Sequence, residues 1–371
     1  MKQKNAKKAA MMSKSASEYI DSLLSKPVNF LDGSASGSPV VISSRIRLAR
    51  NIGDFPFPSA AGEAVSAEIC AVADAAVKRS AALGRSHIRI AADDLSSLEK
   101  EILFERRLAS RELLAKENNA VLHTSSNQNL ALMINEEDHL RLQAVLPGLQ
   151  LHKCWKILNA ADDKLSGVLD IAYDSRLGYL TACPSNVGTG MRVSIMMHLP
   201  ALAMAEQIKP LERGLSKLGL TVRGMFGEGS ENLGDFYQIS NQSTLGESEE
   251  DIIDRLGQVA DQICSQEEHA RDRLLEVCRN RLRDKVGRCF GILRYAGILT
   301  AREAYNSLSG IRLGVDMNMF NSLDIDVINE LFMSVPPGHL QKKAGRILSE
   351  EECNVFRAQQ FRDRLKQCSA G

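Results

Sequence analysis

The sequence predicts an α+β protein, in which a β-rich core with helices is followed by a helical C-terminal domain. Short apolar runs whose alternate positions are polar, as in half-buried strands, recur between residues 41 and 223. From about Ser248 to about Tyr295 the pattern becomes helical, and shorter helical segments continue to Lys366. The chain therefore divides into three expected parts: an N-terminal basic tail with a short helix and a linker (1–40), the core (41–270) and the helical domain (271–371).

Composition argues against several classes of protein. Hydrophobic residues make up 44% of the 371 residues, enough for a sizeable core, and the formal net charge of zero argues against a general nucleic-acid or membrane-surface binder. No apolar run reaches membrane-spanning length, and no secretory signal follows the N-terminal lysines. The eight cysteines form no CxxC pair and no zinc spacing, so we expect reduced thiols, a cytoplasmic protein and no metal-binding residues.

The first forty residues contain little regular structure by sequence. Residues 1–14 read as a basic tail, and Ser15 with Glu18 forms a capping box that starts a short helix. Pro27 stops that helix, and residues 32–39 (DGSASGSP) have the composition of a linker.

The core is expected to alternate between strands and helices. The first strand, Val41–Leu48, places Arg45 and Arg47 on one face and mostly apolar residues on the other. Two helices are expected next, one at about Ala60–Ala82 and one at about Leu95–Lys116 with Asp93 or Asp94 near its cap. A hairpin of the strands Val121–Ser125 and Leu130–Ile134 follows. Further strands are expected at Tyr179–Thr181, Arg192–Met197 and Leu220–Arg223, followed by a glycine-rich mobile loop from Gly224 to Gly234.

Three consecutive acids end the second strand of the hairpin. If the extended conformation continues, Glu137, His139 and Arg141 share one face, while Glu136 and Asp138 share the other. Such a mixed face of acid, imidazole and guanidinium could perform acid–base chemistry. The alternative is a solvated strand end followed by the first turn of a helix, where acids are common.

Arginines recur on the polar side of several predicted strands. If these strands are neighbours, the guanidinium groups converge into a cationic basin suited to phosphate groups. The arginines concerned are Arg45, Arg47, Arg141, Arg192 and Arg223. The chain has neither a GxxxxGK[ST] loop nor a GxGxxG turn that opens a helix, so side chains would hold a nucleotide, supported by loop amides such as those of Gly188–Gly190.

Three further residues remain open by sequence. Cys183, just before Pro184, is either a small buried hydrophobe or a thiolate near the arginines. His139 and His198 are either structural hydrogen-bonding residues or participants in chemistry.

Taken together, these residues resemble the phosphagen kinase superfamily, and most closely its bacterial protein-arginine kinase branch. The matching motifs are SSRIRLARN (Ser43–Asn51), NEEDHLR (Asn135–Arg141), YLTACPSNVGTGMR (Tyr179–Arg192), HLPAL (His198–Leu202), VRGMFGEGSE (Val222–Glu231) and QISNQSTLGESE (Gln238–Glu249). The resemblance implies an antiparallel sheet flanked by helices (the phosphagen kinase/glutamine synthetase-like fold). It also implies transfer of the ATP γ-phosphoryl group to a guanidinium nitrogen, with Mg²⁺ as cofactor.

The resemblance also assigns roles to residues. Glu137 would be the catalytic carboxylate, Glu228 a second carboxylate that holds the substrate guanidinium, and Cys183 the cysteine that tunes that group. The residues expected to bind ATP are Ser44, Arg45, Ile46, Arg47, Arg107, Arg141, Arg192, Val193, Ser194, Ile195, Met196, Arg223, Gly224, Met225, Phe226, Gly227 and Glu228.

Two departures from the branch affect these expectations. Arg107 stands where the branch commonly has a histidine that contacts the nucleotide. In the C-terminal domain the branch carries an RDxxRA motif that binds phosphoarginine, whereas this chain has Cys353 and Asn354 in place of the first Arg and the Asp, leaving Arg357. We therefore expect no activation through a C-terminal phosphoarginine site.

The resemblance implies a function in protein quality control. Small-molecule phosphagen kinases carry a helical domain before the core, whereas the additional domain here is C-terminal, which favours phosphorylation of arginine in proteins. The partners implied are protein substrates, a zinc-finger-type activator, a Clp chaperone–protease and a second copy of the chain in a homodimer. The alternatives are a free-arginine kinase and a non-catalytic adaptor that keeps the fold.

Overall fold

An antiparallel sheet forms the centre of the computed structural model, which describes residues 16–26, 28–31, 38–225, 233–320, 322–366 and 368. The strands are β1 (Val41–Arg50), β2 (Ile88–Ala91), β3 (Val121–Thr124), β4 (Leu130–Ile134), β5 (Leu140–Pro147), β6 (Tyr173–Asp174), β7 (Gly178–Tyr179), β8 (Met191–His198), β9 (Leu220–Gly224) and β10 (Phe236–Asn241). Eight of them pair in the order β2-β3-β4-β5-β1-β8-β10-β9, while β6 and β7 form a separate pair. Every pair in the large sheet is antiparallel, which confirms the fold class.

Helices precede, flank and follow this sheet. They are α1 (16–24), α2 (Glu63–Ser80), α3 (Ser97–Glu105), α4 (Arg111–Leu114), α5 (Leu151–Ser166), α6 (Pro200–Met204), α7 (Ile208–Lys217), α8 (Glu249–Val277), α9 (Arg279–Tyr295), α10 (Ala301–Asp316), α11 (Ile325–Met333), α12 (Pro337–Ala344) and α13 (Glu350–Leu365). Short 3-10 turns occupy Asn29–Leu31, Ala92–Asp94 and Pro184–Asn186. From α8 onward the described residues are almost wholly helical, as the sequence predicts.

One face of the sheet is apolar and carries the main core. Side chains alternate along β1, so Ile46 and Leu48 point to the face opposite Arg45 and Arg47. Helices α2, α5 and α8 cover that apolar face, and their buried side chains join those of the strands in one cluster. The polar face is thereby left for other contacts.

The C-terminal helices cover part of the second face. Met196 and Phe236 on the sheet belong to one cluster with Tyr305 on α10 and Phe332 on α11. The ring of Phe332 meets the rings of Phe236 and Tyr305 edge-on, with centroids 5.2 and 5.1 Å apart. The helical region therefore packs directly beside the arginine-bearing strands.

A buried ion network joins the two regions within α8. Glu267, fully buried, accepts hydrogen bonds from the amides of Ala201 and Leu202 and from Arg271, which also bonds to Asp316 on α10. The predicted domain boundary at residue 270 falls between these partners, inside one continuous helix. The boundary stays a prediction.

Several predicted elements differ from the structure. The prediction of one helix over Leu95–Lys116 is wrong, because two N-caps start separate helices there: Ser96 accepts from the amide of Glu99, and Ser110 accepts from that of Leu113. Between those helices Arg107 adopts φ +57°, which a continuous helix cannot contain. Ser96 is the N-cap of the first of these helices, and Asp93 and Asp94 lie just before it in a 3-10 turn.

Other predictions are confirmed, and some elements were missed. The hairpin pairs Val121 with Ile134 across β3 and β4, as predicted. The strand predicted at Tyr179–Thr181 is reduced to Gly178–Tyr179, whereas β2, β5, β10 and α5 were not anticipated. Ser15, residues 32–37 of the linker and residues 226–232 of the glycine-rich loop lie outside the described residues.

Among the described residues, no helix combines the length and apolarity that crossing a membrane requires. All eight cysteines are unpaired, and four of them (Cys70, Cys154, Cys264 and Cys353) are buried.

Candidate active site

The arginines of four strands lie on the same face of the sheet. Arg47 on β1 pairs directly with Arg192 on β8 and with Gln143 on β5. Residues opposite one another in an antiparallel pair point to the same side, so these side chains are neighbours. Arg141 lies two residues from Gln143 on β5, and Arg223 on β9 pairs with a residue of β10. The expected convergence is present in the fold.

These side chains line one cavity of about 740 Å³, a size suited to a nucleotide. Its predicted residues are Arg45, Arg47, Arg107, Glu137, Arg141, Cys183, Arg192, Arg223 and Met225. Its unpredicted residues include Phe30, Glu105, Gln143, Gln238 and, from the C-terminal helices, Tyr305, Phe332, Met333 and Pro336. The cavity is therefore built by both regions of the chain.

The cationic end of the cavity is electrostatically unbalanced. Burial, together with neighbouring Arg107, Arg141 and Arg192, lowers the pKa of Arg45 to about 9. Burial and the surrounding arginines likewise hold the pKa of Arg47 well below its usual range. The buried Nε atoms of Arg45 and Arg47 have no hydrogen-bond partner among the described residues. Such a group of like charges suits a polyanionic ligand, because the ligand would supply the missing acceptors.

The three consecutive acids form a turn between β4 and β5, which overturns the prediction of two alternating faces. Glu136 is 2% exposed, pairs with Arg141 and accepts from the Ser110 hydroxyl at 2.6 Å and from the Glu137 amide at 2.9 Å. Burial alone would raise the pKa of Glu136, but Arg141 and these hydrogen bonds lower it. Glu136 is therefore an ionised group that orients Arg141.

Glu137 differs from both of its neighbours. It is exposed at the cavity, and its carboxylate makes no hydrogen bond or ion pair within the described part of the chain. Partial burial and the charges of Asp138 and Glu136 raise its pKa. A carboxylate with a raised pKa and open lone pairs is suited to accept a proton.

The last acid and the histidine of this turn are structural. Asp138 accepts from Asn51 at 2.6 Å and from the amide of Ala182 at 2.7 Å, which holds the segment leading to Cys183. His139 is fully buried; its Nδ1 accepts from the amide of Ile52, and its Nε2 donates to a backbone carbonyl. His139 therefore does not share a face with Glu137, contrary to the expectation of a mixed catalytic face.

Cys183 lies at the cavity rather than in the core. It is partly exposed, and its sulfur is 3.0 Å from the Ser185 hydroxyl. Its carbonyl accepts from Thr181 at 2.8 Å, so the backbone on both sides of the thiol is held in place. Of the two alternatives for this residue, the buried hydrophobe is wrong.

His198 lies in the interior at the junction of the two regions. It is fully buried, stacks on Phe236 and lies 2.9 Å from the Ser309 hydroxyl on α10. It does not line the cavity, so the structural interpretation holds for this residue.

The loop Gly188–Gly190 does not line the cavity, so the structure gives no support to the prediction that its amides hold a nucleotide. Thr189 donates its amide to Thr244, and Gly188 has φ +114°. A Cβ at Gly188 would be 2.1 Å from the Thr244 carbonyl oxygen. Gly188 is therefore needed where these two backbone segments pack closely.

Several predicted ATP-binding residues are not brought to the cavity. The side chains of Ile46, Val193 and Ile195 lie in the core on the opposite face. The Ser44 hydroxyl also lies on that face, where it donates to Gly148 and accepts from the Gln150 amide. Successive side chains of a strand point to opposite faces of the sheet, so only every second residue of each matching motif reaches the cavity.

The remaining predicted residues do not line the cavity or lie beyond the described part. Ser194 donates to the Arg45 carbonyl, and Met196 belongs to the apolar cluster with the C-terminal helices. Gly224 ends β9 next to Met225. Phe226, Gly227 and Glu228 lie outside the described residues.

The residues aligned with the C-terminal phosphoarginine motif are used for folding. Arg357 is 3% exposed and donates to the carbonyls of Val335 and Leu299 and to Asn354 Oδ1, at 2.8, 2.7 and 2.7 Å. Cys353 beside it is buried. This arginine joins the ends of three helical segments.

Comparisons with known proteins agree with the geometry of the site. The family model described as "ATP:guanido phosphotransferase, C-terminal catalytic domain" matches residues 72–270, and the model described as "Protein-arginine kinase McsB C-terminal domain" matches residues 279–371. Among solved structures, lombricine kinase aligns with a TM-score of 0.55 at 24% identity, over 64% of this chain and 69% of that one. The duplicated taurocyamine kinase from Schistosoma mansoni aligns with a TM-score of 0.54 at 23% identity, over 74% of this chain and 41% of that one. These two likenesses show the phosphagen kinase fold.

Fold, cavity and matched catalytic domain together define an enzyme of the guanidino phosphotransferase class. The sequences of curated relatives indicate which member of this enzyme class the chain resembles. Protein-arginine kinase of Pelotomaculum thermopropionicum is 42% identical over 89% of this chain and 93% of its own length, and that of Geobacillus sp. WCH70 is 43% identical over 89% and 91%. The chain therefore belongs to the protein-arginine kinase family of the phosphagen kinase superfamily.

Proposed function

We propose that this enzyme transfers the γ-phosphoryl group of ATP to guanidinium groups of arginine side chains in proteins. The observation that carries the proposal is the cavity itself, where arginines with unbalanced charge lie beside the open carboxylate of Glu137. The first group suits a triphosphate, and the second suits a cationic acceptor that must lose a proton.

In this proposal the arginines hold and stabilise the phosphates. Arg45, Arg47, Arg141, Arg192 and Arg223 line the cavity from four strands, so they can surround a transferring phosphoryl group. Preorganised donors stabilise the charge that develops on that group in the transition state. All five side chains line the cavity, and pairing with Glu136 fixes the direction of Arg141.

Glu137 serves as the proton acceptor. A guanidinium is fully protonated at neutral pH and is a poor nucleophile, so it must lose a proton as it attacks. A bond forms between guanidinium nitrogen and the γ-phosphorus, the bond between that phosphorus and the bridging oxygen of ADP breaks, and the proton passes to Glu137. Glu228 as a second carboxylate and Cys183 as a tuning thiol remain proposals from the family resemblance.

Mg²⁺ is proposed as the cofactor that enters with the nucleotide. Enzymes that transfer phosphoryl groups usually hold Mg²⁺ through one or two carboxylates together with the substrate phosphates. When bound, the ion would neutralise charge on the transferring group. The described residues contain no group of three acidic, histidine or cysteine side chains that could hold a metal ion. A metal carried by the nucleotide phosphates is compatible with this donor set.

A protein-borne acceptor is proposed over free arginine for two reasons. Glu137 is exposed, so an arginine side chain on another protein can reach it from solvent. Relatives that cover 89% of this chain carry the name protein-arginine kinase. We further propose action in cytoplasmic protein quality control as a homodimer, with a zinc-finger-type activator and a Clp chaperone–protease as partners; the family resemblance supports these proposals.

The test offers γ-labelled ATP together with free arginine or an unfolded arginine-containing protein to the purified enzyme. We expect label on the protein, and little on free arginine, with both signals lost in Glu137→Gln. Label on free arginine alone would favour the free-arginine kinase. Absence of label in both, with ATP still bound, would favour the adaptor.

A further inference from the structure

Arg107 is held over the cavity in an uncommon backbone conformation. Its φ of +57° lies in the left-handed region and ends α3, where the amide of Leu108 donates to the carbonyl of Leu103 at 3.0 Å. Its guanidinium lies 4.5 Å above the ring of Phe30 and lines the cavity. The contacts that hold this end of α3 in place therefore determine whether Arg107 faces the cavity.

One of these contacts comes from the sheet. The Gln143 side-chain amide, on the arginine-bearing face, donates to the carbonyls of Arg107 and Leu108 at 2.8 and 3.1 Å. The amide of Arg107 itself donates to Phe104 at 2.8 Å. These bonds hold the segment on its sheet side.

The second contact comes from the C-terminal region. Glu105, two residues before Arg107, has a side chain only 4% exposed. Its carboxylate accepts from the amides of Gly338 and His339, at 2.6 and 2.9 Å, and from His339 Nδ1. These amides belong to the first turn of α12, where N–H groups have no partner within the helix.

Both carboxylate oxygens of Glu105 are thus occupied by α12. A buried anion requires such donors, and the positive end of the helix dipole adds to their effect. Although Glu105 borders the cavity, its negative charge would repel a polyphosphate, so direct binding of a nucleotide is not its role. Its remaining connection to the cavity is through the chain to Arg107.

We propose that Glu105 is a positioning residue: by binding the first turn of α12, it holds Arg107 over the nucleotide cavity and makes that part of the site dependent on the C-terminal region. The inference rests on the proposed function only in taking ATP as the nucleotide. It predicts that a change in α12, outside the cavity, alters ATP affinity through Arg107.

Gly338→Ala tests the proposal from the α12 side. A Cβ at Gly338 would lie 2.8 Å from both carboxylate oxygens of Glu105, so either that side chain or α12 must shift. The matched control is Gly287→Ala on α9, where a Cβ meets no atom within 4 Å. We expect Gly338→Ala to raise KM and Kd for ATP roughly tenfold while kcat changes less than about twofold, and the control to change neither.

The dependence on Arg107 is measured with a double variant. If Glu105 acts through Arg107, Gly338→Ala causes no further loss of ATP affinity once Arg107→Ala is present. An equal loss in both backgrounds would overturn the proposal, and so would ATP affinity in Gly338→Ala equal to that of the control.

A second variant covers the case in which Gly338→Ala does not fold, as judged by thermal unfolding. His339→Ala removes one of the three donors to Glu105 without adding an atom, and we expect a smaller rise in Kd for ATP, again absent in the Arg107→Ala background. An unchanged Kd would overturn the proposal. Calorimetry on the full chain distinguishes failure of the proposed function from failure of the positioning role of Glu105. If the unmodified enzyme binds no ATP, the proposed function fails. If it binds ATP and the α12 variants have the same ATP affinity as the control, only the positioning role fails.

Discussion

Strand β1 carries two kinds of arginine, and the contrast between them identifies the functional side. Arg50 is 1% exposed, and its guanidinium donates to Asp162 at 2.8 and 3.1 Å and to two carbonyls, while lying 3.4 Å above the ring of Tyr179. Three residues earlier, Arg47 points to the other face, where its neighbours are further arginines and its buried Nε has no partner in the described structure. One arginine is satisfied by the fold, and the other is left for a ligand.

The acids of the turn after β4 repeat the contrast. Glu136 is buried against Arg141 and Ser110, whereas Glu137 faces the cavity without a partner in the described part. A charged group with all its partners stabilises or orients the fold, and one without them is available for chemistry. Substitutions on both sides of this contrast test it, because those at the open charges should alter turnover or ATP binding and that at the paired arginine should alter stability.

The largest expected effect is on turnover, from Glu137→Gln. The change keeps the shape of the side chain and removes the proton acceptor, so kcat should fall by a factor of about 10²–10⁴ with little change in Kd for ATP. Glu136→Gln should instead weaken ATP binding, because Arg141 loses its orienting partner. Rate and affinity measurements on both variants check this, with exposed Glu68→Gln on α2 as the control. Near-normal turnover in Glu137→Gln would show that the proton goes elsewhere.

The next effect is on stability, from Asp162→Ala. The substitution leaves the buried Arg50 without its carboxylate, which should reduce the free energy of unfolding by about 3–5 kcal/mol. Denaturant or thermal unfolding measures this. If stability is unchanged, Arg50 is not satisfied by the fold in the way described, and the contrast with Arg47 disappears.

Arg47→Met should have the opposite profile. Loss of one charged contact should weaken ATP binding by about 1.5–3 kcal/mol. Stability should stay the same or rise, since a crowded, unpaired guanidinium is replaced by an apolar side chain of similar length. Calorimetric titration with ATP and thermal unfolding of the same variant measure the two effects. A marked loss of stability with unchanged ATP affinity would show that Arg47, like Arg50, is needed for the fold and not for the ligand.

The smallest expected effect is no effect, from adding free phosphoarginine. Arg357 already donates to three acceptors, and Asn354 supplies no carboxylate for a guanidinium. We therefore expect neither calorimetric binding of phosphoarginine by the C-terminal region nor a change in the rate of the full enzyme. Saturable binding of phosphoarginine that is lost in Arg357→Ala would show that this arginine binds the ligand as well as stabilising the fold.

Much of the site could be predicted from local pattern. Alternation along β1 places Arg45 and Arg47 on one face in any extended conformation, and the hairpin of β3 and β4 follows from two apolar runs across a short polar turn. The same alternation could have excluded Ile46, Val193 and Ile195 from the cavity. Gln143 was missed because β5 was not recognised, although it lies at the same spacing from Arg141 as Arg47 from Arg45.

The sequence by itself determined the family, the antiparallel α+β class and the set of charged residues from which the site is drawn. Only the tertiary structure decided which of those charges are neutralised, because their partners are distant in sequence: Arg50 meets Asp162 across 112 positions, Glu136 meets Ser110 across 26, and Glu105 meets His339 across 234. Local pattern determines the direction in which a side chain points. Whether a charge is paired depends on packing between elements, and that decides which residues remain free to bind a ligand.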